Sequence, residues 1–217
     1  MAEKDNKVGR KAGTRGRPAR SAQHVAEMRA RIAEQAQILF LSEGYGAISM
    51  RRIASATGCT VMTLYRYYDR KIDILRHLWK MVFETLFDEL EQVAATYSDP
   101  RQRLEAIALG YVRYWLENRD IYFMVFMSSN VEQSDVSVFV QDDAIIGRFM
   151  IFQRSLAQAT SNTSDSDLAI SSELLLCMLN GIAHNLITIS AFPWSSPQVL
   201  VRTAIDSLLG TLRPTAA

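Results

Sequence analysis

The sequence predicts an all-α protein, and three observations carry that prediction. Apolar residues recur at steps of three and four along most of the 217 residues, no alternation of period two persists anywhere, and capping hydroxyls and glycines bracket the first periodic segments.

Residues 1–20 hold seven Lys and Arg, three glycines and no large apolar residue except Met1 and Val8. Such a stretch cannot bury enough surface to offset its ordering entropy, so a mobile basic arm is expected. From about 23 to 43, Val25, Met28, Ile32, Ala36, Leu39 and Phe40 form the stripe of an amphipathic helix that ends at Gly44. Ser49 is the N-cap expected for a helix over 50–57, and Thr60 for one over 61–68. The short turn between them holds Gly58, free to take a positive φ, which is the helix-turn-helix arrangement. Ile53, Ala54, Leu64 and Tyr68 are expected inside, with Ala54 small so that the helices can cross closely.

A long helix over about 71–96 follows, striped by Leu75, Leu78, Trp79, Val82, Leu86, Phe87 and Leu90 and broken at Ser98-Asp99-Pro100. Further helices are expected at about 101–118, 120–128, 141–160, 165–190 and 198–209, the last opened by a first-turn Pro197. Polar stretches at about 129–137 and 160–167 read as loops.

Composition adds charge asymmetry. Residues 1–80 carry 16 Lys and Arg against 7 acids, a balance of +9, while 81–217 carry 8 Arg against 16 acids, a balance of −8. A basic first third on an acidic remainder predicts a module for a polyanion, with nucleic acid the obvious one. The two cysteines, Cys59 and Cys177, fit no metal or redox spacing and suit a reducing cytoplasm. No secretory signal pattern is expected at the N-terminus. The apolar run 168–192 contains Glu173, Asn180, His184 and Asn185, which favours a buried helix over a membrane span.

No catalytic constellation is visible. His24, His77 and His184 stand apart, without ligand spacing, and there is neither a phosphate-binding glycine loop nor a nucleophile elbow. The chain is therefore expected to be no enzyme and to need no cofactor or metal.

One pattern is specific. Leu39-Phe40, Glu43-Gly44-Tyr45, Ser49-Met50, Ile53-Ala54, Gly58, then Thr63-Leu64-Tyr65-Arg66-Tyr67-Tyr68, Lys71 and Leu75 follow one another at fixed spacing. In this order residues 29–75 resemble the DNA-binding module of the TetR family (TetR/AcrR-like) of bacterial regulators. The resemblance implies an arm over 1–20, a three-helix helix-turn-helix DNA-binding domain over 21–70, and a helical ligand-binding and dimerisation domain over 71–217, joined by the long helix. It implies base contact by Arg51 and by Val61 and Met62 in the major groove, with Thr63, Tyr65, Tyr67 and Lys71 on phosphates or the groove wall and Arg66 pointing similarly. Tyr65 and Tyr67 also fit as core aromatics. Cys59, Thr60 and Met62 depart from the residues usual there; the first two keep the roles of apolar plug and N-cap, and Met62 alters the surface offered to bases. In the arm, Arg15-Gly16-Arg17-Pro18 looks like an AT-hook core, with Arg15 and Arg17 placed either in the minor groove or in a solvated tail.

Beyond residue 100, the stretch Tyr111–Met127 is similar to TetR-like regulatory domains. An effector cavity is expected from Tyr111, Trp115, Phe123, Met127, Phe152 and Met178, with Asn180 and His184 as polar anchors; taken alone, such stripes also fit a plain core. The last two helices are apolar on more than one face. The resemblance implies a homodimer through Leu175, Leu179, Ile182, Leu186, Val201, Ile205 and Leu208. The function implied is a cytoplasmic, ligand-responsive regulator of double-stranded DNA: a repressor released from a palindromic operator by a small hydrophobic effector, with no membrane partner. The alternatives are an activator of the same family, or a sensor or carrier of hydrophobic ligands whose DNA-binding module is vestigial.

Overall fold

The computed structural model describes residues 22–140, 143–160 and 164–212, the side chains of 138–140 excepted. Ten helices and one 3-10 turn make up the described residues, with no strand among them.

Helix α1 (Ala22–Glu43) buries Ile32, Ala36, Leu39 and Phe40 and stops where glycine permits it. Gly44 takes φ +80° while its N–H still donates to Phe40 O at 3.0 Å. A 3-10 turn, Tyr45–Ala47, then leads into α2 (Met50–Thr57) and α3 (Val61–Leu64). The regular helix expected over 61–68 ends at Leu64. The next N–H groups bond at shorter range, Arg66 to Thr63 O and Tyr67 to Leu64 O, so the chain continues as tight turns.

Helix α4 (Lys71–Ala95) runs about 37 Å at the usual rise per residue. Its first half packs on α1, and its second half lays Phe83, Leu86, Phe87 and Leu90 into the rest of the molecule. Helix α5 (Pro100–Glu117) is the centre, touching α4, α8 (Asp143–Ala159), α9 (Asp165–Thr188) and α10 (Pro197–Thr211). Asp99 caps α5 by accepting from Gln102 N at 2.8 Å, with Pro100 in the first turn; Ser196 and Pro197 open α10 in the same manner. Helix α6 (Arg119–Phe126) packs on α5 and reaches α1.

Helix α7 (Gln133–Val140) occupies most of the expected loop 129–137. Its first turn, Gln133-Ser134-Asp135, is polar, and its support is tertiary. Arg76 of α4 donates to Asp135 Oδ1 at 2.8 Å and to Asp135 O at 3.1 Å, contacts that no local pattern announces.

Buried residues run without interruption from Ile32 to Leu209. Helix α9 is long and apolar enough by length and composition to cross a membrane. In this structure its inner face, Leu168, Leu175, Leu179, Ala183 and Ile187, packs into that core.

Candidate functional site

The caps expected from sequence are formed. Ser49 Oγ accepts from Arg52 N at 3.2 Å, Thr60 Oγ1 accepts from Thr63 N at 3.1 Å, and Gly58 takes φ +72° between the two helices. Arg31 of α1 donates to Thr57 O at 3.1 Å, satisfying a carbonyl at the end of α2. Sequence reasoning missed this contact, because nothing local distinguishes Arg31 from other surface arginines. Ile53, Ala54, Leu64 and Tyr68 are buried, which fixes the outward faces of α2 and α3.

Those faces carry Arg51, Met62, Tyr65 and Arg66. Met62 is 77% exposed and Tyr65 47%, large values for apolar side chains on a packed module. Arg51 and Arg66 make no ion pair among the described residues, whereas neighbouring Arg52 is held by Glu43 at 3.0 Å. Val61 and Thr63 are half-buried, and the Thr63 hydroxyl already meets Thr60 Oγ1 at 2.9 Å. The face thus combines two unpaired guanidiniums with apolar and aromatic surface, a set that matches base edges, thymine methyls and phosphates.

Two residues expected at DNA are held within the module in this structure. Tyr67 is buried, so of its two readings the core one describes its ring. Lys71 is engaged within the chain: Nζ donates to Tyr45 O at 2.6 Å and to Ile48 O at 2.7 Å and lies over the Tyr45 ring. Its charge closes the 3-10 turn ahead of α2: Tyr45 O, which already accepts from Ile48 N at 3.3 Å, takes the ammonium on its second lone pair, and Ile48 O accepts it too. Arg15 and Arg17 lie outside the described residues.

The expected effector residues divide into three places. Tyr111, Trp115 and Phe152 are buried together, with Tyr111 edge-on to Trp115 and Phe152 at ring separations of 6.1 and 5.6 Å. Asn180 and His184 face this group through hydroxyls: Tyr111 donates to Asn180 Oδ1 at 2.7 Å, and the Tyr122 hydroxyl meets His184 Nδ1 at 2.9 Å. Burial pushes the Tyr111 hydroxyl's pKa well above its ordinary value. The indole N–H of Trp115 lies near that hydroxyl without a hydrogen bond of acceptable geometry, a buried donor lacking an acceptor.

Phe123 and Met127 are not part of this group. They are exposed on α6 toward the end of α1, because α6 turns its Tyr122 and Met124 side inward. Met178 belongs to a third place, a groove between α9 and α10. Tyr122, Phe83 and Phe126 complete the ring cluster around Trp115 at 5.9, 5.8 and 5.1 Å. The signal for Tyr122 was its place four residues after Asn118, one turn into a new helix.

The expected dimer residues need a similar correction. Leu175, Leu179, Val201, Ile205 and Leu208 are buried within the single chain, so they face its own core. Ile182 and Leu186 instead line the α9–α10 groove of about 580 Å3 with Met178, Val199 and Leu200. Both faces of α9 are apolar, and the sequence period alone could not assign which one α5 covers.

Comparison with known proteins agrees with this geometry. The family described as "Bacterial regulatory proteins, tetR family" matches residues 32–78, the segment from mid-α1 to the first turns of α4. An HTH-type transcriptional regulator of Staphylococcus aureus is 28% identical over 117 residues, covering 54% of this chain and 63% of that protein. The HTH-type transcriptional activator FasR of Mycolicibacterium smegmatis is 24% identical over 115 residues, 53% of this chain and 52% of that protein. The chain therefore spans only about half to three-fifths of these relatives. Among solved structures, the fatty acid degradation regulator FadR of Bacillus halodurans superposes with a TM-score of 0.67 at 16% identity, covering 86% of this chain and 96% of that one. NalD of Pseudomonas aeruginosa, described as the secondary repressor of a multidrug efflux pump, gives 0.62 at 18% identity, covering 88% and 98%. These structural likenesses carry the fold and no more. With a helix-turn-helix capped at Ser49 and Thr60 and a family match across it, residues 32–78 form a DNA-binding module of the tetR family of bacterial regulatory proteins, set in an all-helical fold shared with solved regulators of that kind.

Proposed function

We propose that this chain is a transcriptional regulator of the bacterial cytoplasm that binds a palindromic operator as a homodimer and is released by a small, mainly apolar effector. The observation that carries the DNA reading is the outward face of α2 and α3, where Arg51 and Arg66 have no ion-pair partner among the described residues and stand beside Met62 and Tyr65. In this reading residues 21–70 hold DNA and 71–217 hold the effector and the second subunit. The apolar groove lined by Met178, Ile182, Leu186, Val199 and Leu200 is the self-association face. The cluster around Trp115, with Asn180 and His184, receives the effector. An effector releases DNA only if it binds the DNA-incompetent arrangement more tightly than the competent one.

The test is fluorescence anisotropy with DNA from upstream of the protein's own coding sequence, repeated at rising salt. Expected are specific binding that weakens steeply with salt and a preference relaxed at one base pair in Arg51→Ala. Equal affinity for all DNA in both proteins would sink the reading. A carrier of hydrophobic molecules with a vestigial DNA face fits less well, since nothing then explains two unpaired arginines beside an exposed methionine. Activation in place of repression has one supporting observation, the activator among the relatives. Whether transcription of the adjacent gene rises or falls on deletion decides between the two.

A further inference from the structure

Phe123 and Met127, which do not join the Trp115 cluster, open instead onto a cleft of about 300 Å3 where α6 meets the end of α1. Phe40 and Tyr45 form one wall, in edge-on contact at 5.1 Å. Phe123, 43% exposed, and Met127, 52% exposed, form the other, with Asp120 and Ser129 at the polar side. Volumes of this order at a junction between structural units are common for small-molecule sites.

The chemistry of the lining is selective. Asp120 makes no ion pair among the described residues, and no lysine, arginine or histidine lines the cleft. The surroundings add to this: the Tyr45 hydroxyl is pushed up to about 12, first by burial, then by Asp135 and Asp73, against Arg70 and Arg76. An anion would meet the Asp120 carboxylate, and the nearest ammonium, that of Lys71 behind the Tyr45 ring, is already engaged by Tyr45 O and Ile48 O; a purely apolar guest would strip water from Asp120 without replacing it. A cation gains from the Asp120 carboxylate and from the exposed Phe123 ring together, Phe40 and Tyr45 being buried and lending only a closed apolar wall, and the half-open shape leaves it partly hydrated. We propose that this joint cleft is a binding site for a compact organic cation carrying an apolar ring, separate from the Trp115 cluster.

Its position gives it leverage. A Cβ on Gly46 would stand 2.8 Å from Asn130 Nδ2 and 2.9 Å from Ser129 Oγ, so the loop after α6 rests directly on the 3-10 turn. Lys71 grips the same turn through Tyr45 O and Ile48 O. An occupant touching both Tyr45 and Phe123 changes the angle at which α2 and α3 are presented.

The site can be tested without DNA. The full chain is labelled with 13C-methyl methionine, the Met127 signal is assigned by Met127→Leu, and benzylammonium, benzyl alcohol and benzoate are titrated in turn. Benzylammonium should shift the Met127 and Met124 methyl signals in a saturable way. Asp120→Asn, an exposed change that leaves the fold intact, should weaken it roughly two- to five-fold, the worth of a solvent-accessible ion pair. Equal shifts from benzoate or benzyl alcohol, no effect of Asp120→Asn, or no shift at Met127 would each overturn the proposal. Operator binding is measured separately on the same sample, so failure of the DNA reading and failure of this site are distinguishable.

Discussion

The ammonium of Lys71 lies 2.6 Å from the carbonyl oxygen of Tyr45 and 4.0 Å from the centre of the same residue's ring. A second carbonyl, Ile48 O, accepts from it at 2.7 Å. The lysine that family resemblance assigns to a phosphate is thus committed to the turn that precedes α2. Lys71→Met should leave two carbonyls without their charged donor and cost about 2 kcal/mol of stability, read as a lower urea midpoint. Operator affinity should fall with it, while the slope of log affinity against log salt stays unchanged. A slope reduced by about one counterion would show that Lys71 does meet a phosphate.

This division between what could and could not be read from the sequence follows the range of the interactions. Caps, turns and helix stripes are local, so Ser49, Gly58, Thr60, Pro197 and the inner face of α4 were legible from spacing alone. Helix α7 was not, because Arg76, 59 residues away from Asp135, supplies its anchor. Side-chain direction was the harder part. Phe123 and Tyr122 are neighbours in sequence, yet one opens to the joint cleft and the other meets His184. Adjacent residues on a helix point about 100° apart, and only the packing of α6 on α5 decides which side is covered.

The readout prediction separates three aromatic and basic side chains. Arg51→Ala should lose about 1–3 kcal/mol and relax preference at one base pair, with the melting temperature unmoved. Tyr65→Ala should weaken DNA binding without loss of stability. Tyr67→Ala should cost about 3 kcal/mol of stability, since its ring is buried. Binding curves and thermal melts on the three variants check the assignment; a Tyr65 variant that melts early and still binds fully would reverse it.

Self-association through the α9–α10 groove predicts opposite outcomes for residues three apart. Leu179 is buried in the chain's own core, and Leu179→Glu should abolish the native fold, as an unpaired buried charge costs several kcal/mol. Ile182 lines the groove, and Ile182→Glu should give a folded monomer by light scattering and circular dichroism, with operator affinity reduced. A folded dimer in Ile182→Glu places the interface elsewhere.

A pH dependence follows from His77, which lies edge-on to Tyr68 at 5.9 Å where α4 meets α1. Burial, then Arg29 and Lys80, drive its imidazole below the ordinary 6.5, against Glu84. The unfolded chain therefore holds more protons than the folded one in that window. Stability from this site is complete above about 6.5 and is lost as the pH falls below it. His77→Phe keeps the ring contact and removes the titration, so the drop in urea midpoint between about pH 7.5 and about pH 5 should be smaller than in the parent protein. Equal drops in both would remove His77 from the account.

The effector reading rests on where the arginines are. Beyond residue 80 no described arginine is buried, and Arg148 pairs with Asp88 at 2.7 Å and Glu91 at 3.3 Å while lying over Phe87. Arg113 and Arg154 are exposed. A carboxylate effector beside Trp115 would sit unpaired in a poorly hydrated space, which is strongly unfavourable. The Trp115 N–H, by contrast, lacks an acceptor, and Asn180 and His184 each have a hydroxyl partner that a ligand can replace. The expected effector is neutral or weakly cationic, largely apolar, and carries an acceptor oxygen or nitrogen. A screen of matched alcohols, ketones, amines and carboxylates for loss of operator binding tests this. Neutral acceptors should release DNA, and Asn180→Leu or His184→Leu should reduce their potency roughly five-fold, about 1 kcal/mol each. Release by carboxylates alone would mean that Arg148 leaves Asp88 and Glu91 to meet them, and double substitution of those two acids should then strengthen carboxylate binding.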